Sequence, residues 1–389
     1  MRILVISFYY EPDLSAGSFR TTAFVQALKE QLGERDTIEV VTTLPNRYST
    51  YKVATGEMQI LDNVTIRRIR VPFHKSGFSD QARSFLTYFM ETLKYTRKRQ
   101  YDCVFATSSR LFSAFLGAII SRQKNIPLYL DIRDIFVDTL RSVLYKSGLK
   151  AVIPLMGLVE RFALMRAQKV NLVSKGFAPY FQKKYKKAYS FFPNGIDDEF
   201  LDVSFDLTKT EQTDKTVITY TGNIGDGQGL EKIVPQIAER YPDLEFHIIG
   251  DGGRKAALKE RASHLSNVRI LNPVSRKELV SFYRQSDMVF LHLNNYEAFK
   301  KVLPSKIFEY AATRKPIIAG VEGYAKEFLE ENLPDSLVFR PCDIEDFCRK
   351  YDRFKRAVDQ EKRQLFIARF TRAEIMKEMA RDFLGIATQ

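Results

Sequence analysis

Short apolar runs alternate with helix-length segments along almost the whole chain, and this alternation most constrains the fold. The first run, R-I-L-V-I-S-F, starts at Arg2 and is continuously apolar, which is typical of a parallel strand buried on both faces. Similar runs occupy Leu128 to Ile132 and Leu244 to Ile249. Strands that alternate with helices in this way predict an α/β fold with doubly wound parallel sheets.

The alternation occurs twice. It breaks at Phe192-Pro193-Asn194-Gly195 and resumes at Val217, after a stretch rich in Asp, Glu and Thr. A chain of 389 residues is long enough for two domains. We therefore predict an N-terminal domain over residues 1–193 and a C-terminal domain over residues 194–369. Two Rossmann-like sheets in tandem are expected to face each other across a cleft. The ligand is expected in that cleft, because α/β proteins bind ligands at the carboxyl ends of their strands.

Composition narrows the functional classes. No apolar run approaches the ~20 residues of a membrane-spanning helix. Three scattered cysteines and four isolated histidines predict neither a disulfide framework nor a zinc site, and the start of the chain does not resemble a secretory signal. We therefore expect a cytoplasmic protein. The formal net charge of +13 favours an anionic partner, such as a phosphorylated ligand, an acidic membrane or a nucleic acid.

The segment L-P-S-K-I-F-E-Y-A-A-T-R-K-P-I-I-A-G, which begins at Leu303, predicts a helix followed by a buried strand. Ser305 is expected to cap the helix, which places Lys306 in its first turn. Glu309 lies one turn further on the same face. An ammonium beside a helix N-terminus suits a diphosphate, and the carboxylate suits a ribose or sugar hydroxyl. The alternative is a surface Lys–Glu pair on an ordinary helix.

Two glycine-rich turns follow predicted strands of the second half. One contains Gly222 and Asn223, and the other contains Gly250 and Asp251. Glycines let a backbone approach a phosphate, although an ordinary tight turn is the alternative. Asp251 stands beyond the position at which a dehydrogenase holds the ribose of its dinucleotide. We therefore expect no nicotinamide or other cofactor. The candidate loops contain no D-x-D pair, so no metal site is predicted.

In the first half, Asp131-Ile132-Arg133-Asp134 ends a predicted strand and is expected to reach the cleft. Arg133 could bind a phosphate through two hydrogen bonds, and Asp134 could accept or position the proton of an acceptor hydroxyl. These two residues and Lys306 are the catalytic candidates. The alternative is an Arg–Asp pair that braces a loop.

Several motifs together resemble the retaining GT-B glycosyltransferases of family four. They are G-N-I-G-D-G-Q-G-L-E, H-I-I-G-D-G-G, P-N-G-I-D, P-S-K-I-F-E-Y-A-A-T-R-K-P-I-I-A-G, Y-Y-E-P-D-L-S-A-G-S-F-R and Y-L-D-I-R-D-I-F-V-D. The chain is most similar to the bacterial O-antigen and capsule branch, which includes N-acetylfucosamine transferases. The resemblance spans essentially the whole chain, and its C-terminal half is the more specific part.

The resemblance implies metal-independent, retaining transfer of an N-acetylated sugar from UDP to a lipid-linked glycan. It implies donor binding in the second domain, acceptor binding in the first, and a last helix, about residues 370–389, that returns to the first domain. Lys306 then stabilises the leaving diphosphate and Glu309 contacts the ribose. Gly17, part of a small-residue pair, lets the diphosphate approach a helix N-terminus. The other donor-binding candidates are Gly222, Asn223 and Gly250.

The chain departs from the family pattern at two places. Lys301 stands where the first Glu of the E-x7-E pattern is expected, with Glu297 nearby at a different spacing. Asn223 and Gln228 stand where many relatives have an Arg and a Lys that bind the phosphates. We therefore expect phosphate neutralisation to depend on Lys306, backbone N–H groups and Arg133.

Residues 78–99, 136–166 and 180–187 mix aromatic, apolar and basic side chains. Such faces can dock on anionic lipid headgroups, so we expect a peripheral location on the inner face of the bacterial cytoplasmic membrane. The alternative is that the apolar residues are core. Two other functions stay open. A nucleotide-sugar 2-epimerase shares the fold, and a nucleic-acid-binding protein would explain the charge, although the chain contains no recognition module for nucleic acid, and no such partner is expected.

Overall fold

A computed structural model describes residues 1–46, 53–72, 78–108, 111–143, 152–201, 203, 205 and 215–387 of the protein. The chain divides into two compact units. Unit 1 comprises Met1–Asn194 and Arg372–Gln389, and unit 2 comprises Gly195–Thr371.

Unit 1 contains an eight-stranded sheet with helices packed on it. The strands are β1 Arg2–Ile6, β2 Thr37–Thr43, β3 Met58–Leu61, β4 Val64–Ile69, β5 Cys103–Thr107, β6 Leu128–Ile132, β7 Lys169–Leu172 and β8 Ala188–Ser190. The helices are α1 Ala16–Lys29, α2 Phe78–Thr96, α3 Leu111–Lys124, α4 Phe136–Val143, α5 Val152–Arg166 and α6 Ala178–Lys184. The strand order is β3-β4-β2-β1-β5-β6-β7-β8, and every pair is parallel except β3 with β4.

Unit 2 contains a second, fully parallel sheet of six strands. The strands are β9 Thr216–Asn223, β10 Leu244–Asp251, β11 Val268–Leu271, β12 Met288–His292, β13 Ile317–Gly320 and β14 Leu337–Phe339, in the order β11-β10-β9-β12-β13-β14. The helices are α7 Leu230–Arg240, α8 Lys255–Arg261, α9 Arg276–Gln285, α10 Lys306–Ala312, α11 Tyr324–Asn332, α12 Ile344–Tyr351 and α13 Gln360–Arg369. The last helix, α14 Arg372–Ala387, belongs to unit 1.

The doubly wound parallel architecture predicted from the alternation is confirmed. Continuously apolar strands lie in the middle of each sheet because helices cover both of their faces. In unit 1, Phe24 of α1 stacks on Phe105 of β5 with ring centroids 4.1 Å apart, and Phe383 of α14 packs edge-on against both rings. Side chains from elements far apart in the sequence thus form one core on this face of the sheet.

The register of β9 and β10 positions the carboxyl ends of the central strands of unit 2. Gly222 of β9 pairs with Gly250 of β10, and the next residues, Asn223 and Asp251, also pair. A Cβ added at Gly250 would lie 1.8 Å from the carbonyl oxygen of Gly222. The two strand ends can therefore approach this closely only because residue 250 has no side chain.

Within the described residues, no helix combines the length and the apolar character needed to cross a membrane.

Candidate functional site

Lys306 and Glu309 form an ion pair in the first turn of α10. Nζ of Lys306 lies 2.9 Å from Oε1 and 3.0 Å from Oε2 of Glu309. Both side chains are largely buried, with 24% and 15% of their surfaces exposed. The predicted pair therefore forms, and the cation is not extended into solvent.

The predicted cap of this helix is wrong. Ser305 has the helical backbone angles φ −60° and ψ −25°, and its side chain makes no capping hydrogen bond. A capping hydroxyl needs the extended backbone that positions it over the first turn. The helix also spans only seven residues and ends at Ala312. The positive charge of the site therefore comes mainly from Lys306 itself rather than from the helix terminus.

Gly222 brings the β9 strand end against this cation. Its φ of +132° disfavours any residue with a side chain, and an added Cβ would lie 3.4 Å from Cε of Lys306. The structure thus places three predicted donor-site residues, Gly222, Lys306 and Glu309, in one cluster.

The side chains of Asn223 and Gln228 bind each other. Nδ2 of Asn223 donates to Oε1 of Gln228 at 2.8 Å, and the Gly225 N–H donates to the same oxygen at 3.2 Å. Asn223, a predicted donor-binding residue, thus also closes the glycine-rich turn that follows β9.

The glycine-rich turn after β9 is also held by hydrogen bonds from β12 and from the segment that follows β12. The Asn294 side-chain amide donates to the Asp226 carbonyl at 2.8 Å, and the Tyr296 hydroxyl donates to Asp226 Oδ2 at 2.9 Å. The buried ring of His292 donates from Nδ1 to the Gln228 carbonyl at 2.6 Å and accepts from the Cys342 N–H at 3.0 Å. Burial lowers the pKa of His292 to about 4, so the ring is neutral and can make both bonds.

Gly250 of β10 pairs with Gly222 of β9. Its carbonyl accepts from Nζ of Lys255 at 2.7 Å, and the same ammonium donates to the carbonyl of Leu271 at 3.1 Å. Lys255 thereby ties the end of β10 to the end of β11. Gly250 therefore allows the end of β10 to lie close to the end of β9.

The residues near the E-x7-E position lie on a 3-10 helix, Glu297–Lys301. Glu297 is 80% exposed and pairs with Lys300, whose Nζ lies 2.6 Å from its carboxylate. Glu297 therefore does not take the place of the carboxylate that Lys301 replaces.

A second cation lies at the start of α1 in unit 1. Ser15 caps this helix by accepting from the Ser18 N–H at 3.1 Å, and a Cβ at Gly17 would lie 2.8 Å from Nη1 of Arg133. This Nη1 is buried and has no hydrogen-bond partner among the described residues. Burial lowers the pKa of Arg133 to about 9, with Arg20 and Arg372 adding to the effect, so the guanidinium is still charged at neutral pH.

The two acidic residues around Arg133 differ. Asp131 is fully buried and accepts from Arg20 at 2.8 and 2.9 Å and from Asn171 at 2.7 Å. Its carboxylate therefore has a structural role. Asp134 is exposed in the loop between β6 and α4, close enough to Arg133 to raise its pKa. In the part of the chain that the structure describes, no group of His, Cys, Asp and Glu side chains could hold a metal ion.

One residue of the site was missed by the sequence analysis. Tyr283 of α9 is fully buried, and its hydroxyl donates to Glu309 Oε1. A tyrosine 26 residues before its partner, on a different helix, gives no local sequence signal.

Comparisons with known proteins find one family and several relatives that are similar to this chain. Residues 206–369 match the family described as glycosyl transferases group 1. The chain is 26% identical over 353 residues to the protein named as the colanic acid biosynthesis glycosyl transferase WcaI of Escherichia coli (strain K12), covering 84% of each chain.

Solved structures confirm the two-domain α/β GT-B fold. Sucrose-phosphate synthase of Thermosynechococcus elongatus has a TM-score of 0.77 at 13% identity, covering 99% of this chain and 98% of that one. Anabaena HepE, solved in complex with UDP and glucose, has a TM-score of 0.69 at 16% identity, covering 98% and 99%. The UDP-GlcNAc 2-epimerase of Neisseria meningitidis is more distant, with a TM-score of 0.56 at 13% identity over 99% and 100%.

Proposed function

We propose that this chain is a glycosyltransferase that transfers a sugar from a nucleoside diphosphate held in unit 2. The match of residues 206–369 to the family described as glycosyl transferases group 1 supports the proposal. One observation carries the proposal: the side chain of Lys306 lies beside Gly222, and its ammonium pairs with the carboxylate of Glu309. A half-buried cation beside a glycine backbone suits an anion that approaches closely. The carboxylate beside it suits the hydroxyl groups of the same ligand.

In this proposal, Lys306 stabilises the charge that develops on the diphosphate as the sugar leaves. A preorganised cation is worth most where that charge forms and water is partly excluded. The ammonium has three N–H donors, so it can bind a phosphate oxygen without leaving Glu309. Glu309 accepts a hydroxyl of the nucleotide ribose. Asn223 acts by holding the glycine-rich turn after β9 in shape, and Gly250 by letting the strand ends approach.

We assign the acceptor to unit 1. Arg133, with its buried Nη1 against Gly17, supplies a cation for a phosphate of the acceptor. Asp134 is exposed and can position the acceptor hydroxyl. UDP as the nucleotide is supported by the complex of HepE, and a surface-polysaccharide acceptor by the name of WcaI. The lipid carrier, the N-acetylated sugar, retention at the anomeric carbon and metal independence follow from the resemblance described above.

The test measures release of UDP from UDP-sugars by the intact chain, in the presence of lipid-linked glycans extracted from bacterial membranes. Lys306→Ala should lower turnover by about a hundredfold while the protein stays folded, since a hydrogen bond to a charged group contributes roughly 1.5–3 kcal/mol. Lys300→Ala is the matched control, because it removes the same charge from a lysine that pairs with Glu297. Equal turnover in the two variants would contradict the proposal.

The epimerase alternative is separated by the same assay without acceptor. A 2-epimerase converts UDP-N-acetylglucosamine alone, whereas a transferase needs the glycan. Conversion of the free nucleotide sugar at full rate would replace transfer by epimerisation as the function.

We further propose that unit 1 docks on an anionic membrane surface. The exposed side of α2, α3 and α5 carries an apolar strip formed by Leu86, Met90, Phe115, Leu155, Leu158 and Met165. The Leu and Met side chains of this strip are all more than half exposed. Ring contacts of Phe115 with Phe89 at 6.1 Å and with Phe162 at 5.3 Å connect the three helices.

Exposed basic residues lie on the same helix as part of the strip, among them Arg83 and Lys94 of α2, and exposed Arg97 directly follows it. An apolar surface flanked by cations fits a layer of anionic headgroups above acyl chains. Part of the segment that suggested this face, residues 144–151, lies outside the described residues.

The docking test is vesicle flotation at low salt, with phosphatidylglycerol-containing and purely phosphatidylcholine vesicles. The native chain should float with the anionic vesicles, and the double variant Leu155→Glu, Leu158→Glu should not. Leu365→Glu is the control, because Leu365 is 65% exposed but lies on α13 of unit 2. Equal binding of both vesicle types, or no loss in the double variant, would contradict docking by this strip.

A further inference from the structure

The carboxylate of Glu309 is held from its buried side by a hydrogen-bonded chain. The hydroxyl of Tyr283 donates to Oε1 of Glu309 and lies 2.6 Å from Oγ1 of Thr221 at the end of β9. A phenol has one proton, and a carboxylate is a stronger acceptor than a hydroxyl. The proton of Tyr283 therefore goes to Glu309, and the Thr221 hydroxyl donates to the phenol oxygen.

The hydrogen bonds from Tyr283 and Lys306 leave the two oxygens of Glu309 with different numbers of donors. Oε1 accepts from both Tyr283 and Lys306, whereas Lys306 is the donor to Oε2 among the described residues. Each carboxylate oxygen can accept about two hydrogen bonds. Oε2 therefore keeps capacity for a ligand hydroxyl, and Oε1 is already used by the protein.

We propose that Tyr283 is the positioning residue of the donor site, and that it holds Glu309 so that Oε2 faces the ribose hydroxyls of the nucleotide. The proposal rests on the function proposed above and deepens it. When a diphosphate takes one of the three N–H donors of Lys306, fewer donors of the ion pair remain to fix the orientation of the carboxylate. The buried phenol holds the carboxylate in place, because Tyr283 is fully enclosed and cannot turn away.

A second buried tyrosine offers a matched comparison. Tyr310 is also fully buried, and its ring centroid lies 5.9 Å from that of Tyr283. Its hydroxyl accepts from the backbone N–H of Thr221 at 3.1 Å. Phenylalanine at either position removes one buried hydroxyl, but only Tyr283→Phe removes the bond to Glu309.

The experiment is calorimetric titration of the intact chain with UDP and with inorganic pyrophosphate. Tyr283→Phe should weaken UDP binding about tenfold, because one charge-assisted hydrogen bond is lost from the group that orients the ribose. Its affinity for pyrophosphate, which has no ribose, should stay within twofold of that of the native chain. Tyr310→Phe should change neither affinity.

The results separate the two levels of the proposal. A native chain that binds neither UDP nor pyrophosphate overturns the proposed function, and this inference with it. A native chain that binds UDP, with Tyr283→Phe and Tyr310→Phe equal, overturns the inference alone, as does an equal loss of UDP and pyrophosphate in Tyr283→Phe. Should Tyr283→Phe fail to fold, Thr221→Val removes the next bond in the chain and should show the same selective loss to a smaller extent.

Discussion

The close approach of β9 and β10 predicts a large effect of the smallest possible side chain. In Gly250→Ala, the new Cβ would lie 1.8 Å from the Gly222 carbonyl oxygen, where real Cβ atoms stay beyond about 3.0 Å. The obstacle is backbone in the neighbouring strand, so relief requires the two strand ends to move apart by roughly 1 Å in a sheet whose strands are spaced about 4.8 Å.

The cost has two parts. Forcing extra volume into a packed site costs about 1–3 kcal/mol, and each ladder hydrogen bond lost at the strand ends costs about 1 kcal/mol more. A total of about 3 kcal/mol corresponds to a fall of roughly 10 °C in the melting temperature of a unit of this size. Because the same movement displaces Gly222, which lies beside Lys306, affinity for UDP should fall as well.

The assay is thermal unfolding followed by circular dichroism, with Gly253→Ala as the control. Gly253 lies three residues further along the chain, and a Cβ there would meet no atom within 4 Å. That variant should melt within a few degrees of the native chain, or slightly above it because alanine restricts the unfolded state. Equal melting temperatures for the two variants would refute the reasoning.

Three further predictions concern stability. The pKa of His292 is lowered from its ordinary 6.5 to about 4, so its contribution is present above pH 6.5 and is lost as the pH falls towards 4. Between pH 7 and 5 the native chain should therefore lose roughly 2 kcal/mol more than His292→Gln in urea titrations, and equal losses would contradict this. Arg133→Met should leave the free energy of unfolding unchanged or raise it by up to about 1 kcal/mol, because the buried Nη1 of Arg133 lacks a partner and lies beside other cations. Turnover of the same variant should fall. A clear decrease in its unfolding temperature would contradict this. Ser275→Ala should cost about 1 kcal/mol in urea unfolding, because Ser275 and Glu278 form a capping box on α9, whereas Ser305→Ala should cost almost nothing; equal costs would show that the caps are misassigned.

Much of the fold was predictable because its strands are buried on both faces. The run at β6 was predicted with the observed bounds, and the runs at β1 and β10 within two residues. Three strands were missed. The edge strand β3, Met58–Leu61, is exposed along its whole length and pairs antiparallel, so it carries no apolar run of the kind that marks a buried parallel strand. The strands β8 and β14 have only three residues each.

The site was predictable where its residues are close in sequence. The spacing of Lys306 and Glu309 on one helix face predicts their contact, and the structure contains it. Contacts between distant segments gave no such signal. The bond of Tyr283 to Glu309 and that of Asn294 to the Asp226 carbonyl depend on how separate elements pack, and neither periodicity nor spacing encodes that.

The most direct measurement is calorimetric titration of the native chain and Lys306→Ala with UDP and with UMP, which differ by one phosphate. If Lys306 holds the diphosphate, UDP should bind the native chain at least about tenfold more tightly than UMP, and the ratio should fall close to one in the variant. If the ratio of UDP affinity to UMP affinity stays the same after removal of the ammonium, the central claim is contradicted, even if both affinities change.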